Sequence, residues 1–308
     1  MEILLQVLLL VVGFVLLIKG ADWFVDGSSG IATKFGIPQL VIGLTIVAMG
    51  TSAPEAAVSI TAALEGNADI TIGNIVGSNI LNILIILGLS SVIVPLAVAP
   101  STIKYETPFM IVITLIMLLL GLDKEISLID GIIFIVLFIT YLTYLFIMAK
   151  KDMDKQEEKP KEISIPKSII GIVLGLAMII LGSNLTVNAA SAIATAVGLS
   201  ERFIGLTIVA LGTSLPELFT SVSAARKGNA DIAIGNIVGS NIFNILFVIG
   251  ISALIIPVPF AENFIFDSII AIAAAVLLLV CCIKTKSLKR WAGILMLVGY
   301  AAYFAAII

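Results

Sequence analysis

Histidine is missing from this 308-residue chain, and cysteine occurs only twice, as the adjacent pair Cys281 and Cys282. Without histidine there is no zinc site of the H-E-x-x-H kind, and no nucleophile–base pair offers itself for enzymatic work. Two neighbouring cysteines inside an apolar run suit neither a disulfide framework nor a metal pair, so they read as packing residues. Charge is scarce as well: 12% of residues are charged, against roughly 25% in a soluble domain. With 60% hydrophobic residues and a mean hydropathy of +1.21, a soluble globular fold is excluded. No basic stripe or nucleic-acid motif is present, and nothing implies an organic cofactor or an obligate protein partner. The partner that composition does imply is the lipid bilayer.

What is abundant is apolar sequence in lengths of about 20 residues, enough to cross a hydrocarbon core of roughly 30 Å. Ten such stretches are expected, at 3–33, 39–64, 70–95, 103–121, 128–149, 166–195, 203–225, 232–256, 264–283 and 291–307. The first carries Glu2 where a signal peptide would carry basic residues, and no small-residue cleavage site follows it, so it reads as a retained helix.

The chain also repeats itself. Slid along itself by 162 residues, so that Thr51 lies on Thr213, "IGLTIVAMGTSAPE" falls on "IGLTIVALGTSLPE" and "GNADITIGNIVGSNILNIL" on "GNADIAIGNIVGSNIFNIL". The expected organisation is a first five-helix unit over 1–149, a polar linker over 150–165, and a second five-helix unit over 166–308. The paired motifs occupy 38–94 and 200–256. Because five is odd, equivalent helices would run in opposite directions. Lysine and arginine agree: with the N-terminus outside, Lys34, Lys104, the cluster in the 150–167 region, Arg226, Lys227 and the 284–290 cluster fall on the cytoplasmic side, and only Lys124 and Arg202 fall outside. The expected fold class is an all-α polytopic membrane protein, ten transmembrane helices arranged as two inverted five-helix repeats, in the plasma membrane with the linker cytoplasmic. Inverted repeats characterise secondary transporters, whose substrate site lies near the midplane.

Each repeat puts a proline and a glutamate into the oil. An ionised carboxylate at mid-bilayer costs about 2.5–3.5 kcal/mol on insertion scales, so Glu55 and Glu217 require a reason, and binding a cation is one. Pro54 and Pro216 lack an N–H and release the carbonyls of Gly50 and Gly212, which then need partners inside hydrocarbon. By helical spacing, Thr51 and Ser52 share a side with Glu55, as Thr213 and Ser214 do with Glu217. The next helix adds Asn74, Ser78 and Asn82, repeated as Asn236, Ser240 and Asn244, together with small-xxx-small pairs Gly73/Gly77 and Gly235/Gly239 that permit close backbone approach. Asn74, Asn79, Asn236 and Asn241 also suit plain interhelical hydrogen bonding. Asp22 and Asp26 are replaced by Asn184 and Asn188 in the second half and fall outside the candidate site. An all-oxygen donor set favours hard cations such as Ca²⁺ and Na⁺ over zinc or copper.

These paired motifs, "GTSAPE…GSNILN" and "GTSLPE…GSNIFN", resemble the alpha-repeats of sodium/calcium exchangers in the calcium/cation antiporter superfamily, of the prokaryotic type without regulatory domains. The resemblance covers essentially the whole chain. It implies a ten-helix antiporter, not an enzyme, that exchanges Na⁺ for Ca²⁺ by alternating access. It also implies ligands at Ala48, Thr51, Ser52, Glu55, Ser78, Asn82, Ala210, Thr213, Ser214, Glu217, Ser240 and Asn244, the alanines through backbone carbonyls. Asn244 stands where potassium-dependent relatives carry aspartate, which argues against K⁺ co-transport. The linker is too short for the large calcium-sensing domains of animal exchangers. Two alternatives stay open: a proton/calcium antiporter of the same superfamily, whose members bear a "GNxxE" motif in place of "GTSxPE", and a cation channel.

Overall fold

The computed structural model of the protein describes residues 2–153, 163–198 and 210–307. Its helices are α1 (Glu2–Phe35), α2 (Gln39–Thr51), α3 (Ala53–Leu64), α4 (Ile70–Ile93), α5 (Thr102–Asp123), α6 (Leu128–Met153), α7 (Ile165–Ala196), α8 (Ala210–Thr213), α9 (Leu215–Arg226), α10 (Ala230–Ile255), α11 (Asn263–Ile283) and α12 (Arg290–Ile307). Among the described residues eight helices are long and apolar enough to span a membrane, and the bent pair α2–α3 makes a ninth. The remaining one of the ten expected stretches, 203–225, begins outside the described residues, and only α8 and α9 of it are seen. α6 also continues through Lys150 to Met153, residues the sequence assigns to the linker.

The exterior is oily and the interior holds the polar residues, the reverse of a soluble protein. On α6, Phe134, Phe138, Tyr141 and Leu145 recur at helical spacing and are buried, while Ile133, Val136, Ile139 and Phe146 face outward. α4 and α10 sit at the centre and are covered nearly all round; Ile232 to Phe243 is an unbroken run of buried residues. A helix apolar all round belongs in such a place, and the exceptions in this one are asparagines and a serine.

The recurring "GN" after α3 and α9 has a local cause. Gly66 and Gly228 each adopt φ +79°, the left-handed conformation that lacks a steric penalty only for glycine. The amide of Asn67 then bonds back to the Ala62 carbonyl at 2.8 Å, and Asn229 to Ala224 at 2.9 Å, closing the two helix ends alike. These caps turn the chain sharply, so that α3 packs on α4 and α9 on α10.

Two short strand pairings tie the halves together. β1 (Leu96–Ala97) pairs antiparallel with β4 (Ser287–Leu288), and β2 (Glu125–Ile126) with β3 (Val258–Pro259). Leu96 and Val258 are 162 positions apart, as are Glu125 and Ser287, so each pairing is the repeat-equivalent of the other. The two longest helices, α1 and α7, lie along each other with their backbones touching: a Cβ at Gly20 would meet the Gly175 carbonyl at 2.8 Å. With lipid tails as apolar as the side chains, such close contact is a main force joining membrane helices.

Candidate ion-binding site at the helix breaks

The helix broken by "GTSAPE" changes direction by 51° between α2 and α3. Ser52 is the joint, with φ −82° and ψ 7°, and Ser214 is its counterpart at φ −89° and ψ 4°. Each proline therefore sits in the first turn of a new helix, where its missing N–H is no loss. Each glutamate follows in that same turn, at the helix end whose dipole favours an anion. The carbonyl freed by Pro216 has a partner: Ser183 of α7 donates its hydroxyl to the Gly212 oxygen at 2.7 Å.

Glu55 and Glu217 are each 1% exposed. Ser52 donates to Glu217 Oε1 at 2.8 Å, so a hydroxyl of the first half serves the carboxylate of the second. Thr51 donates to Asn236 Oδ1 at 2.9 Å, and Ser240 to the Ala48 carbonyl at 3.4 Å. The close approach of α10 to α2 rests on glycine, since a Cβ at Gly239 would lie 2.7 Å from the Leu44 carbonyl and 2.8 Å from Ala48 Cβ. Ser78, Asn82, Ser214 and Asn244 are buried as well. Thr213 is half-buried, and Ala210 lies in α8.

A second layer of amides holds this layer in place. Asn74 donates to Ser59 Oγ at 2.9 Å and to the Glu55 carbonyl at 3.3 Å; Asn236 donates to Ser221 Oγ at 2.9 Å and to the Glu217 carbonyl at 3.4 Å. Across the centre, the Asn79 amide donates to the Asn241 carbonyl at 3.2 Å and Asn241 returns a bond to the Asn79 carbonyl at 3.1 Å. Their side-chain oxygens accept in turn from Asn82 Nδ2 at 2.9 Å and Asn244 Nδ2 at 3.1 Å. Asn74, Asn79, Asn236 and Asn241 thus act as hydrogen-bonding posts.

With one amide N–H of each given to a facing asparagine, Asn82 and Asn244 are held so that their side-chain oxygens stay out of the asparagine layer. Asn82 Oδ1, Asn244 Oδ1, Glu55 Oε2 and Glu217 Oε2 are all buried and accept no hydrogen bond. These are four acceptors in two repeat-equivalent pairs. The backbone around the asparagines is unusual too: Asn82–Leu87 and Asn244–Ile249 are π-helical segments, a geometry found mostly as single turns at functional sites. α3, which carries Glu55, packs on the Asn244 segment, and α9, which carries Glu217, packs on the Asn82 segment. Each carboxylate helix thus packs on the other half's asparagine-bearing segment. Buried acceptors without donors are expensive.

Two features were not legible beforehand. Asp22 and Asp26 are outside the carboxylate pair, as expected, but they hold Lys227: its Nζ lies 2.7 Å from Asp26 Oδ1 and 3.5 Å from Asp22 Oδ1. A third deeply buried carboxylate, Glu106, belongs to α5, where Tyr144 of α6 donates to its Oε1. The signal in the sequence was faint, an acid shortly after the start of an apolar run outside the repeated motifs.

Comparison with known proteins gives the family. The sequence model described as "Sodium/calcium exchanger protein" matches residues 5–147 and 167–308. The chain is 33% identical over 342 residues to the sodium/calcium exchanger MaX1 of Methanosarcina acetivorans, covering 97% of each protein. It is 34% identical over 316 residues to the inner membrane protein YrbG of Escherichia coli, covering 98% of this chain and 96% of the other. A solved structure of the sodium-calcium exchanger NCX_Mj, soaked with 10 mM Na⁺ and zero Ca²⁺, superimposes with a TM-score of 0.87 at 35% identity, covering 99% of this chain and 100% of that one. The polytopic all-helical fold, the paired carboxylate motifs and these matches together make the chain a member of the sodium/calcium exchanger family, a family of membrane antiporters and not of enzymes.

Proposed function

We propose that the protein exchanges Na⁺ for Ca²⁺ by alternating access around one midplane site. Its ligands are Thr51, Ser52, Glu55, Ser78, Asn82, Thr213, Ser214, Glu217, Ser240 and Asn244, with the carbonyls of Ala48 and Ala210. The observation that carries this reading is the set of four buried acceptors, two carboxylate and two amide, that no protein donor satisfies. Two carboxylates neutralise one Ca²⁺ or are shared among several Na⁺, and neutral oxygens complete the shell that hard cations take. One set of oxygens cannot hold the full complement of both ions, so exchange needs no separate coupling device.

In this reading ten transmembrane helices form two inverted units, 1–149 and 166–308, that rock about the site. The N-terminus is outside, the 150–165 linker is cytoplasmic, and the protein sits in the plasma membrane. No cofactor is required. The test is ⁴⁵Ca²⁺ uptake into proteoliposomes under an outward Na⁺ gradient, compared with an outward proton gradient. Uptake should follow Na⁺, and Na⁺ on the Ca²⁺ side should inhibit competitively with a Hill coefficient above one. Uptake driven by protons alone would make the protein a proton/calcium antiporter. Non-competitive Na⁺ inhibition would require separate sites and end the shared-pocket mechanism.

A further inference from the structure

Glu106 is only 1% exposed, yet it lines a cavity of about 310 Å³ between α5 and α6, together with Lys104, Tyr105, Phe109, Tyr141 and Tyr144. Tyr144 satisfies one carboxylate oxygen; Glu106 Oε2 has no partner within hydrogen-bond geometry, and the Ser101 and Thr102 hydroxyls lie beside the carboxylate. The same holds for the hydroxyl of Tyr141, a residue 4% exposed. The walls are aromatic: Phe109 and Tyr141 stack with centroids 5.5 Å apart, and Tyr105 and Tyr144 approach to 6.2 Å. At the rim, Lys104 holds its ammonium 5.2 Å from the Tyr105 ring centre.

The second half of the molecule separates what is structural here from what is not. There Tyr303 of α12 donates to Asp267 of α11 at 2.9 Å, the same kind of clip between the last two helices of its half. A tyrosine–carboxylate bond is therefore enough to join such helices. The first half adds a fully buried acid with an oxygen to spare and a second, unpartnered hydroxyl, which bilayer hydrocarbon cannot satisfy.

A ligand for this cavity needs a positive charge with N–H donors for Glu106 Oε2 and the Tyr141 oxygen. It needs an organic shape that benefits from aromatic faces. A bare metal ion would ask for more oxygens than these two. Lys104 at the rim adds the opposite requirement, an anion a few atoms from the ammonium. We propose that the α5–α6 cavity binds the head group of an ethanolamine phospholipid from the surrounding bilayer, with its primary ammonium on Glu106 and Tyr141 and its phosphate on Lys104. A choline head group fits less well, because its trimethylammonium has no hydrogen to donate.

The test is native mass spectrometry of the full chain, purified in detergent with equal amounts of phosphatidylethanolamine, phosphatidylcholine and phosphatidylglycerol of identical acyl chains. The wild type should retain the ethanolamine lipid about tenfold over the choline lipid, the size of one charge-assisted hydrogen bond. Glu106→Gln and Tyr141→Phe should each bring the ratio close to parity, while Asp267→Asn leaves it as in the wild type. Should Glu106→Gln fail to fold, Tyr141→Phe decides, since it removes one hydroxyl and keeps the ring. Equal retention of the two lipids by the wild type would overturn the proposal. So would an ethanolamine preference that survives in the folded variants, or a stronger, Lys104-dependent preference for phosphatidylglycerol.

Discussion

In the asparagine layer at the centre of the molecule the two halves match nearly bond for bond. Asn74 reaches Ser59 at 2.9 Å as Asn236 reaches Ser221 at 2.9 Å, and the Asn79 and Asn241 exchange differs by 0.1 Å between its two directions, at 3.2 Å and 3.1 Å. Toward one end the match fails. Asp22 and Asp26 of α1 grip Lys227 just beyond α9, and Ser223 adds a bond to Asp22 Oδ1 at 2.6 Å. At the equivalent positions stand Asn184, Asn188 and Glu65, among which no ion pair can form. A site served from either face of a membrane needs the same ligands seen from both directions, so its two halves are tied to each other. The ends are under no such tie. A contact present at one end alone adds energy to one of two nearly balanced arrangements and shifts the population toward it.

The largest effect that can break this comparison lies at its centre. If the two halves contribute equally, Glu55→Gln and Glu217→Gln must be equally damaging, since each removes half the charge that holds a divalent ion. Na⁺-driven Ca²⁺ uptake should fall to background in both, by about 100-fold or more, as expected when a buried charge loses its counterpart. Near-normal uptake in one of them would show that the matched geometry conceals unmatched roles.

A smaller effect is expected from the amide oxygens. Asn82→Asp and Asn244→Asp each keep the shape, add a charge beside a carboxylate and give up the amide bond to Asn241 or Asn79. Ca²⁺ should then bind more tightly and leave more slowly, with turnover down about tenfold, the equivalent of about 1.4 kcal/mol. Stopped-flow or ⁴⁵Ca²⁺ exchange rates would register this, and unchanged rates would remove these oxygens from the ion's path.

Packing comes next. Gly239→Ala pushes a methyl group against the Leu44 carbonyl and Ala48 Cβ, backbone and neighbour that have no room to give. Overpacking of this sort costs about 1–3 kcal/mol. A lowered thermal unfolding midpoint in detergent should accompany it.

Sequence alone carried most of the centre, and the reason is chemical. A carboxylate, a proline and three asparagines are conspicuous in hydrocarbon, and their recurrence at a fixed offset made them readable as one site. Its wiring was not readable. That Ser52 would serve Glu217 and not Glu55, or that Asn82 would be bonded by Asn241, depends on how the halves interleave, and spacing within one helix cannot express it. The π-helical turns at Asn82 and Asn244 leave no mark in apolar periodicity. Glu106 and the grip on Lys227 escaped for different reasons: Glu106 lies outside the repeated motifs, and the grip joins α1 to the end of α9, elements far apart in the chain.

The smallest predicted effect tests the end where the match fails. The Lys227 ammonium is partly shielded and Asp26 is largely exposed, with side-chain exposures of 27% and 66%, so solvent weakens their pairing. Ion pairs of this kind contribute about 0.5–1 kcal/mol, which corresponds to a shift of about twofold to fivefold in a two-state balance. Lys227→Met removes the charge and keeps much of the stem. Because the contact links α1 to the end of α9, its loss should favour the arrangement in which those elements part. The expected readout is a twofold to fivefold change in the ratio of apparent Ca²⁺ affinities measured from the two membrane faces, with the product of turnover and site occupancy little altered. Asn188→Asp combined with Glu65→Lys builds a matching grip at the other end and, added to the wild type's existing contact, should move that ratio in the same direction as Lys227→Met. If neither change moves the ratio beyond the scatter of the assay, the grip on Lys227 is a surface contact without influence on the balance. Asymmetry at that end would then carry no functional weight.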